Sequence, residues 1–236
     1  MRLVIDVGNS FFKGALFEGT NMVQTFEPIS AESELVSWIN SIEIDAIWVS
    51  TVRKTLPVIL SHQSIPIRQI HHKLNLPFNL DYKTPETLGT DRIAAVSGAS
   101  SRFPDTNILV VNLGTCITFD MLTADRKYLG GAISPGIWMR FKSMHSFTAS
   151  LPEASLSNYV DFIGKNTVES LASGVFSGVF SEIIGFTHRV EKQFGLVQLV
   201  ISGGDHIYFD NLPIKEKFAS PWLVLEGINH IAQLNE

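Results

Sequence analysis

Apolar residues crowd residues 2–7, with Asp6 the polar exception near the end of the run. That pattern predicts a buried strand, and residues 11–17 read as its returning partner across the turn Gly8-Asn9-Ser10. Leu35, Trp38, Ile39 and Ile42 recur at helical spacing over 32–42. Residues 45–52 form a short β-rich run ending in polar residues, and 67–71 predict a further strand. Residues 73–88, rich in Pro, Asn and Thr, predict an irregular loop. A helix of small residues follows over 91–102. A second cycle then begins: a strongly apolar strand at 107–113, its partner at 117–122, a turn at Asp125-Arg126-Lys127, and a glycine- and proline-bearing loop at 130–136. A long helical stretch covers 166–194, with Gly185 as the expected break. A strand at 197–202 runs into the turn Gly203-Gly204-Asp205. Leu223, Leu225, Ile228, Ile231 and Leu234 mark an amphipathic terminal helix over 222–234.

The two cycles resemble each other. Val-Ile-Asp-Val-Gly-Asn-Ser at 4–10 is echoed by Val-Val-Asn-Leu-Gly-Thr-Cys at 110–116. Each is a buried strand, a polar residue, one spacer, a glycine, two small residues and a returning strand. One such hairpin is unremarkable; two, each opening a βαβ-like series, predict duplicated α/β domains, residues 1–104 and 105–236.

Composition narrows the chemistry. With 45% apolar and 17% charged residues in 236, the chain is that of a compact globular protein. The net charge of −5 and the lack of a basic run disfavour nucleic acid as partner. An anionic substrate must therefore be held by local donors and cations. A single cysteine, Cys116, excludes an internal disulfide framework and suits a reducing cytoplasm. Cys116 is expected to be a buried small hydrophobe. The opening apolar run is too short for a signal peptide, and no run of 18 apolar residues suggests a membrane partner. The histidines show no metal-ligand spacing, and His71-His72 reads as a solvated pair.

Glycine at the two turns lets backbone N–H groups approach a phosphate, with Asn9, Ser10, Thr115 and Thr118 adding side-chain donors. Asp6, two residues before Gly8, would repel phosphate unless a cation such as Mg²⁺ with its waters lies between. As an isolated residue Asp6 reads equally as a turn cap; the second turn, with Gly114, favours a phosphate site. Lys13 in the returning strand offers a point charge or is simply solvated. Gly203-Gly204 suits close backbone approach to a nucleobase or ribose.

Paired phosphate turns with a late Gly-Gly turn resemble the actin-like ATPase and sugar-kinase superfamily. That resemblance implies two RNase H-like domains with ATP between them. It narrows with Tyr82-x-x-Pro85-x-x-Leu88-Gly89-Thr90-Asp91-Arg92 and Gly130-Gly131-Ala132-Ile133-Ser134-Pro135-Gly136, which are similar to signatures of the type III pantothenate kinases. Asn166-Thr167 with Gly174 and Gly178, and Leu223-x-Leu225-Glu226-Gly227, resemble two of that family's helices. The matches run in order from residue 6 to residue 227. The resemblance implies ATP-dependent phosphorylation of pantothenate, a homodimer with the substrate site at its interface, and a monovalent cation (K⁺ or NH₄⁺) beside Mg²⁺. By position it makes Asp91 the general base, also a natural helix cap, and Arg92 the fork donor to pantothenate. Tyr82, Gly89, Thr90 and Thr167 would line the same pocket.

One departure stands out. The family's second turn usually begins with Asp, where this chain has Asn112. Asn keeps an acceptor oxygen and loses the charge that would help hold the monovalent cation. Two other functions compete: a kinase for another small hydroxylated substrate, opposed by the Tyr82-to-Arg92 motif, and a non-catalytic nucleotide-binding regulator, favoured only by Asn112.

Overall fold

The structure is a computed structural model that describes residues 1–53 and 65–236, arranged in two compact units. Unit 1 comprises Met1–Ile108, Leu122–Gly130 and Trp222–Glu236; unit 2 comprises Leu109–Met121 and Gly131–Pro221.

Unit 1 is built on a five-stranded sheet of order β3-β2-β1-β4-β5, from β1 (Arg2–Val7), β2 (Phe12–Glu18), β3 (Asn21–Ile29), β4 (Ala46–Thr51) and β5 (Ile67–Gln69). β1, β2 and β3 form an antiparallel meander, and β4 and β5 continue parallel to β1. Alternation decides the two faces. Leu3, Ile5, Val7, Ile47 and Val49 join Leu35 and Ile39 of α1 (Glu32–Asn40) in one apolar cluster. The intervening positions, Asp6 and Ser50 among them, face the other way.

Two further unit 1 helices, α2 (Thr90–Arg102) and α5 (Leu223–Leu234), pack closely on each other. Glycine permits this: a Cβ on Gly227 would stand 1.7 Å from the Ala94 carbonyl oxygen, and one on Gly98 2.4 Å from that of Leu223. Arg102 pairs with Glu226 at 2.6 Å, and His230 Nδ1 lies 3.1 Å from the Ser97 carbonyl oxygen. The short β6 (Asn79–Leu80) pairs parallel with Lys127 and Tyr128 at the start of β9 (Lys127–Pro135).

Unit 2 carries β7 (Ile108–Leu113), β8 (Cys116–Leu122), β10 (Gln198–Ser202) and β11 (Lys217–Ala219), in the order β11-β10-β7-β8-β9. The loop expected over 130–136 is strand instead. Gly131 lies so close to the neighbouring strand that a Cβ would sit 1.7 Å from the Phe119 carbonyl oxygen, so glycine here serves strand approach. The expected break at Gly185 is absent too: α4 (Thr167–Phe194) runs unbroken. Asn166 caps α4, accepting the Glu169 N–H at 3.0 Å, while Glu169 returns to the Asn166 amide and the Lys165 N–H at 2.8 Å each. By length and mean hydropathy (1.3), α4 is apolar enough to cross a membrane, although polar residues interrupt its apolar run. Its Leu171, Val175, Val179 and Ile183 are buried in the fold, and Phe186 stacks on Phe119 at 4.6 Å between centroids. A further helix, α3 (Ile137–Ser146), had no forecast.

Candidate active site

The first turn follows β1, where Gly8 N–H donates to the Phe11 carbonyl at 3.0 Å. Asn9 and Ser10 at its tip are exposed. Asp6 is half-buried and lies opposite Lys13 of β2 and Ser50 of β4. Its carboxyl is pushed up to about 7, chiefly by burial and then by the charge of Asp91, against the opposing pull of Lys13 and the Ser50 hydroxyl. Among the described residues, Asp6 Oδ1 is buried without a hydrogen-bond partner. A buried carboxylate oxygen left unsatisfied fits a hydrated divalent cation. Among the described residues no three His, Cys, Asp or Glu cluster as a ready-made cage, so a cation here would draw its remaining ligands from water and phosphate.

Asp91 is the second residue of α2, whose N-cap is Gly89, so the cap expected at Asp91 sits two residues earlier. Burial raises the Asp91 carboxyl above the ordinary carboxylate range, opposed by the Arg92 N–H, the Arg92 charge and its own N–H. A Cβ on Gly89 would stand 2.5 Å from Asp91 Oδ1, so glycine at this position leaves the carboxylate its place. Thr90 turns its hydroxyl inward: it accepts the Thr51 N–H at 3.0 Å, donates to the Thr51 carbonyl at 2.9 Å, and lies 3.0 Å from Ser50 Oγ. Arg92 is buried. Tyr82 is half-buried, packed on Gly130 (φ 87°) and 5.9 Å from the Tyr128 ring, so part of its face is structural. Unit 1 thus brings together Asp6, Gly8, Lys13, Thr90 and Asp91.

The sequence reading missed Ser50, which is fully buried, and Arg53. Arg53 donates from Nε to the Gly8 carbonyl at 3.1 Å and stacks 4.6 Å over the Phe12 ring, so a guanidinium stands at the first turn. The Ser-Thr-Val-Arg run at the end of a predicted strand was the available signal.

In unit 2 the second turn is tighter. Gly114 N–H donates to the Cys116 carbonyl at 3.1 Å, and Thr115 is exposed. Gly136 docks on this turn through its N–H to the Thr115 carbonyl at 3.1 Å and caps α3, so the N-terminus of α3 abuts the turn. Arg140 holds the Ser134-Pro135 segment through two 2.8 Å hydrogen bonds and pairs with Glu182. Thr118 Oγ1 and Ser202 Oγ are buried and have no hydrogen-bond partner among the described residues. Gly203 (φ 94°) is pressed against Leu113, where a Cβ would meet the carbonyl oxygen at 2.1 Å, whereas Gly204 is exposed with open space beside it. The close approach expected of the pair therefore serves the protein's own backbone at Gly203. Cys116 is half-exposed, which corrects its expected burial: it opens β8 at the turn. Asp120, fully buried, was also missed; alternation in Ile117-Thr118-Phe119-Asp120 puts it on the Thr118 face. Thr167 lies in unit 2, at the first residue of α4.

A family model described as type III pantothenate kinase matches residues 2–189. The type III pantothenate kinase of Christiangramia forsetii is 35% identical over 100% of this chain and 99% of its own length. That of Bacteroides fragilis is 35% identical over 100% and 98%. Among solved structures, a Baf family protein from Campylobacter jejuni matches with TM-score 0.67 at 22% identity, over 98% of this chain and 97% of its own. The activator of the 2-hydroxyisocaproyl-CoA dehydratase from Clostridium difficile, solved with ADPNP bound, matches with TM-score 0.58 at 12% identity, over 99% and 93%. These structural likenesses fix the fold as that of the actin-like ATPases and sugar kinases.

Proposed function

The chain belongs to the type III pantothenate kinase family, and on that premise we propose how its residues divide the work. It catalyses ATP-dependent phosphorylation of pantothenate to 4′-phosphopantothenate, the first step of coenzyme A biosynthesis. The observation that carries the assignment of roles is the pairing of Asp6 and Asp91, two half-buried carboxylates close enough for the charge of Asp91 to raise the pKa of Asp6.

In this reading Asp91 takes the proton of the pantothenate hydroxyl as its oxygen bonds to the γ-phosphorus and the bond to the ADP oxygen breaks. Its raised pKa brings it nearer to the operating pH, as a general base requires. Gly8, Asn9, Ser10 and Lys13 at the first turn, with Gly114, Thr115 and Thr118 at the second, hold phosphate oxygens. Gly203 shapes the nucleotide's edge of the site, and Gly204 is the member of the pair free to meet it. Arg92, Tyr82 and Gly89 bind pantothenate, with Thr90 contributing its main-chain N–H and Thr167 joining them. Asp6 would hold Mg²⁺ through water, and the cation when bound would neutralise phosphate charge. A monovalent cation is expected near Asn112, whose amide oxygen is the donor left where the family's carboxylate stands.

The chain acts as a cytoplasmic homodimer with its substrate site at the interface, divided into domains near residue 104. Support for dimerisation is the apolar surface of unit 2: Trp138, Phe147, Val160, Phe162 and Ile163 are each more than two-thirds exposed.

The test is ADP release with ATP, Mg²⁺ and pantothenate, in potassium and in sodium, for the parent and Asp91→Asn. The expected result is pantothenate-dependent turnover, faster in potassium, that falls about 10²–10⁴-fold in Asp91→Asn while folding is retained. Undiminished turnover in the variant would remove Asp91 from the role of base.

A further inference from the structure

Ser50 has the wrong chemistry for its location unless it has a task. It sits in β4 between Val49, fully buried, and Thr51, and is itself fully buried. Strand centres favour β-branched and aromatic side chains, and a hydroxyl removed from water is unfavourable unless it is hydrogen-bonded. Its partner is Thr90 Oγ1, at 3.0 Å. Thr90 in turn closes on both main-chain groups of Thr51, at 3.0 Å to N and 2.9 Å to O. The first residue of α2 is thereby stitched to the last of β4, next to the residue that bears Asp91.

The other side of Ser50 faces β1. In the parallel β1–β4 register Ser50 lies directly beside Asp6, on the same face of the sheet. Ser50 therefore stands between the strand position of one carboxylate and the helix start that carries the other. Gly89, at the N-cap of α2, supplies no side-chain cap, and the Thr90 hydroxyl ties the first turn to the end of β4 instead.

We propose that Ser50, acting with Thr90, is a positioning residue of the phosphoryl-transfer site, whose buried hydroxyl pair sets the separation of Asp91 from Asp6. The inference rests on the roles given above to those two carboxylates. In-line transfer is sensitive to such placement, since a displacement of about 1 Å can cost about a hundredfold in rate. A pair that fixes geometry without touching either substrate lowers kcat and leaves the Michaelis constants in place.

The experiment compares Ser50→Ala, Thr90→Val, the double variant and Thr90→Ser with the parent and Asp91→Asn. Measured are kcat, KM for ATP, KM for pantothenate, and thermal unfolding to establish that each is folded. The expected result is a kcat loss of about 10–100-fold in Ser50→Ala and in Thr90→Val, with both KM values within about twofold. The double variant is expected to lose no more than the worse single one, because the two hydroxyls act as one unit. Thr90→Ser, which keeps the hydroxyl, should recover most of the loss seen in Thr90→Val. Parent-like kcat in Ser50→Ala overturns the proposal, as do losses that multiply in the double variant, or a loss carried by KM alone. Should Ser50→Ala prove unfolded, Thr90→Val against Thr90→Ser decides by the same criteria. If Asp91→Asn is inactive while Ser50→Ala and Thr90→Val match the parent, this inference fails and the assigned base survives. If Asp91→Asn retains full turnover, the assignment of the base fails, and the inference with it.

Discussion

Replacing Asp6 with Asn should stabilise the folded protein at neutral pH while removing its activity. A rise of the Asp6 carboxyl from its ordinary 3.8 to about 7 means that the fold disfavours the charged form. At ~1.36 kcal/mol per pH unit, that is a penalty on the order of 4 kcal/mol once the group is fully ionised. Relaxation and water entry reduce it, so about 2–4 kcal/mol is expected. The sign follows from proton linkage. Between about pH 4 and pH 7 the folded state holds a proton that the unfolded chain has released, so parent stability falls as pH rises through that window. Below it both states are protonated and the penalty is absent. Asn carries no charge, so the gap between Asp6→Asn and parent should be near zero at pH 4 and open to its full value by pH 8. Carboxyls remote from Asp6 contribute equally to both proteins and largely cancel in the difference, and relief of Asp91 from the neighbouring charge adds to the gap in the same direction. Urea unfolding at four pH values, with chelator present and m-values compared, reads the gap directly. Adding Mg²⁺ should narrow it, because the cation binds the folded parent. A variant less stable than parent at pH 8, or a gap equal at pH 5 and pH 8, would refute the reasoning.

Three other outcomes follow from the packing and the surface. Gly227→Ala should cost about 3 kcal/mol in chemical denaturation, since its Cβ would stand 1.7 Å from the Ala94 carbonyl oxygen and only separation of α2 from α5 relieves it; a loss below about 0.5 kcal/mol would show that the helices part easily. Arg53→Met keeps an apolar stem over Phe12 and deletes the guanidinium at the first turn, so KM for ATP should rise about tenfold with KM for pantothenate unmoved, and Arg53→Lys should recover part of it. Charging two exposed apolar residues of unit 2, with Trp138→Glu and Phe162→Glu, should give a monomer by light scattering, whereas an unchanged mass would place the interface elsewhere.

What periodicity shows locally, the sequence revealed well. The β1–β2 hairpin and α5 carry their apolar spacing openly. α2 was recognisable from its small residues, although their purpose, close contact with α5, was not. β3 escaped because it is an edge strand: only Phe26 of its nine residues is buried, and Pro28 lies near its end. β9 escaped because glycine ordinarily marks a loop, and only the nearness of the Phe119 carbonyl explains Gly131 in a strand. α3 has no side-chain cap to announce it. At the site, the motif residues were named from the chain alone, but Ser50 and Arg53 were not. Each matters through what lies beside it in space, Asp6 and Thr90 for one and Gly8 and Phe12 for the other.

The two glycine turns, so alike in sequence, differ by one residue in structure, and the difference bears on Asn112. The first is closed by the Gly8 N–H on the carbonyl three residues ahead; the second by the Gly114 N–H on the carbonyl two ahead. Counted from those bonds along regular antiparallel strands, Thr118 rather than Phe119 is the counterpart of Lys13, and the count sets it against Asn112 as Lys13 is set against Asp6. The first hairpin therefore sets an anion against a cation, and the second sets two neutral side chains against each other. A carboxylate at 112 would have lacked the counter-charge that Lys13 gives Asp6, next to a Thr118 that is buried. Asn at this position is thus consistent with its own hairpin: on the proposed reading, Asp6 in the charged turn would serve the divalent cation, while the neutral turn would offer phosphate N–H and hydroxyl donors and keep the Asn112 amide oxygen for a weaker, monovalent one.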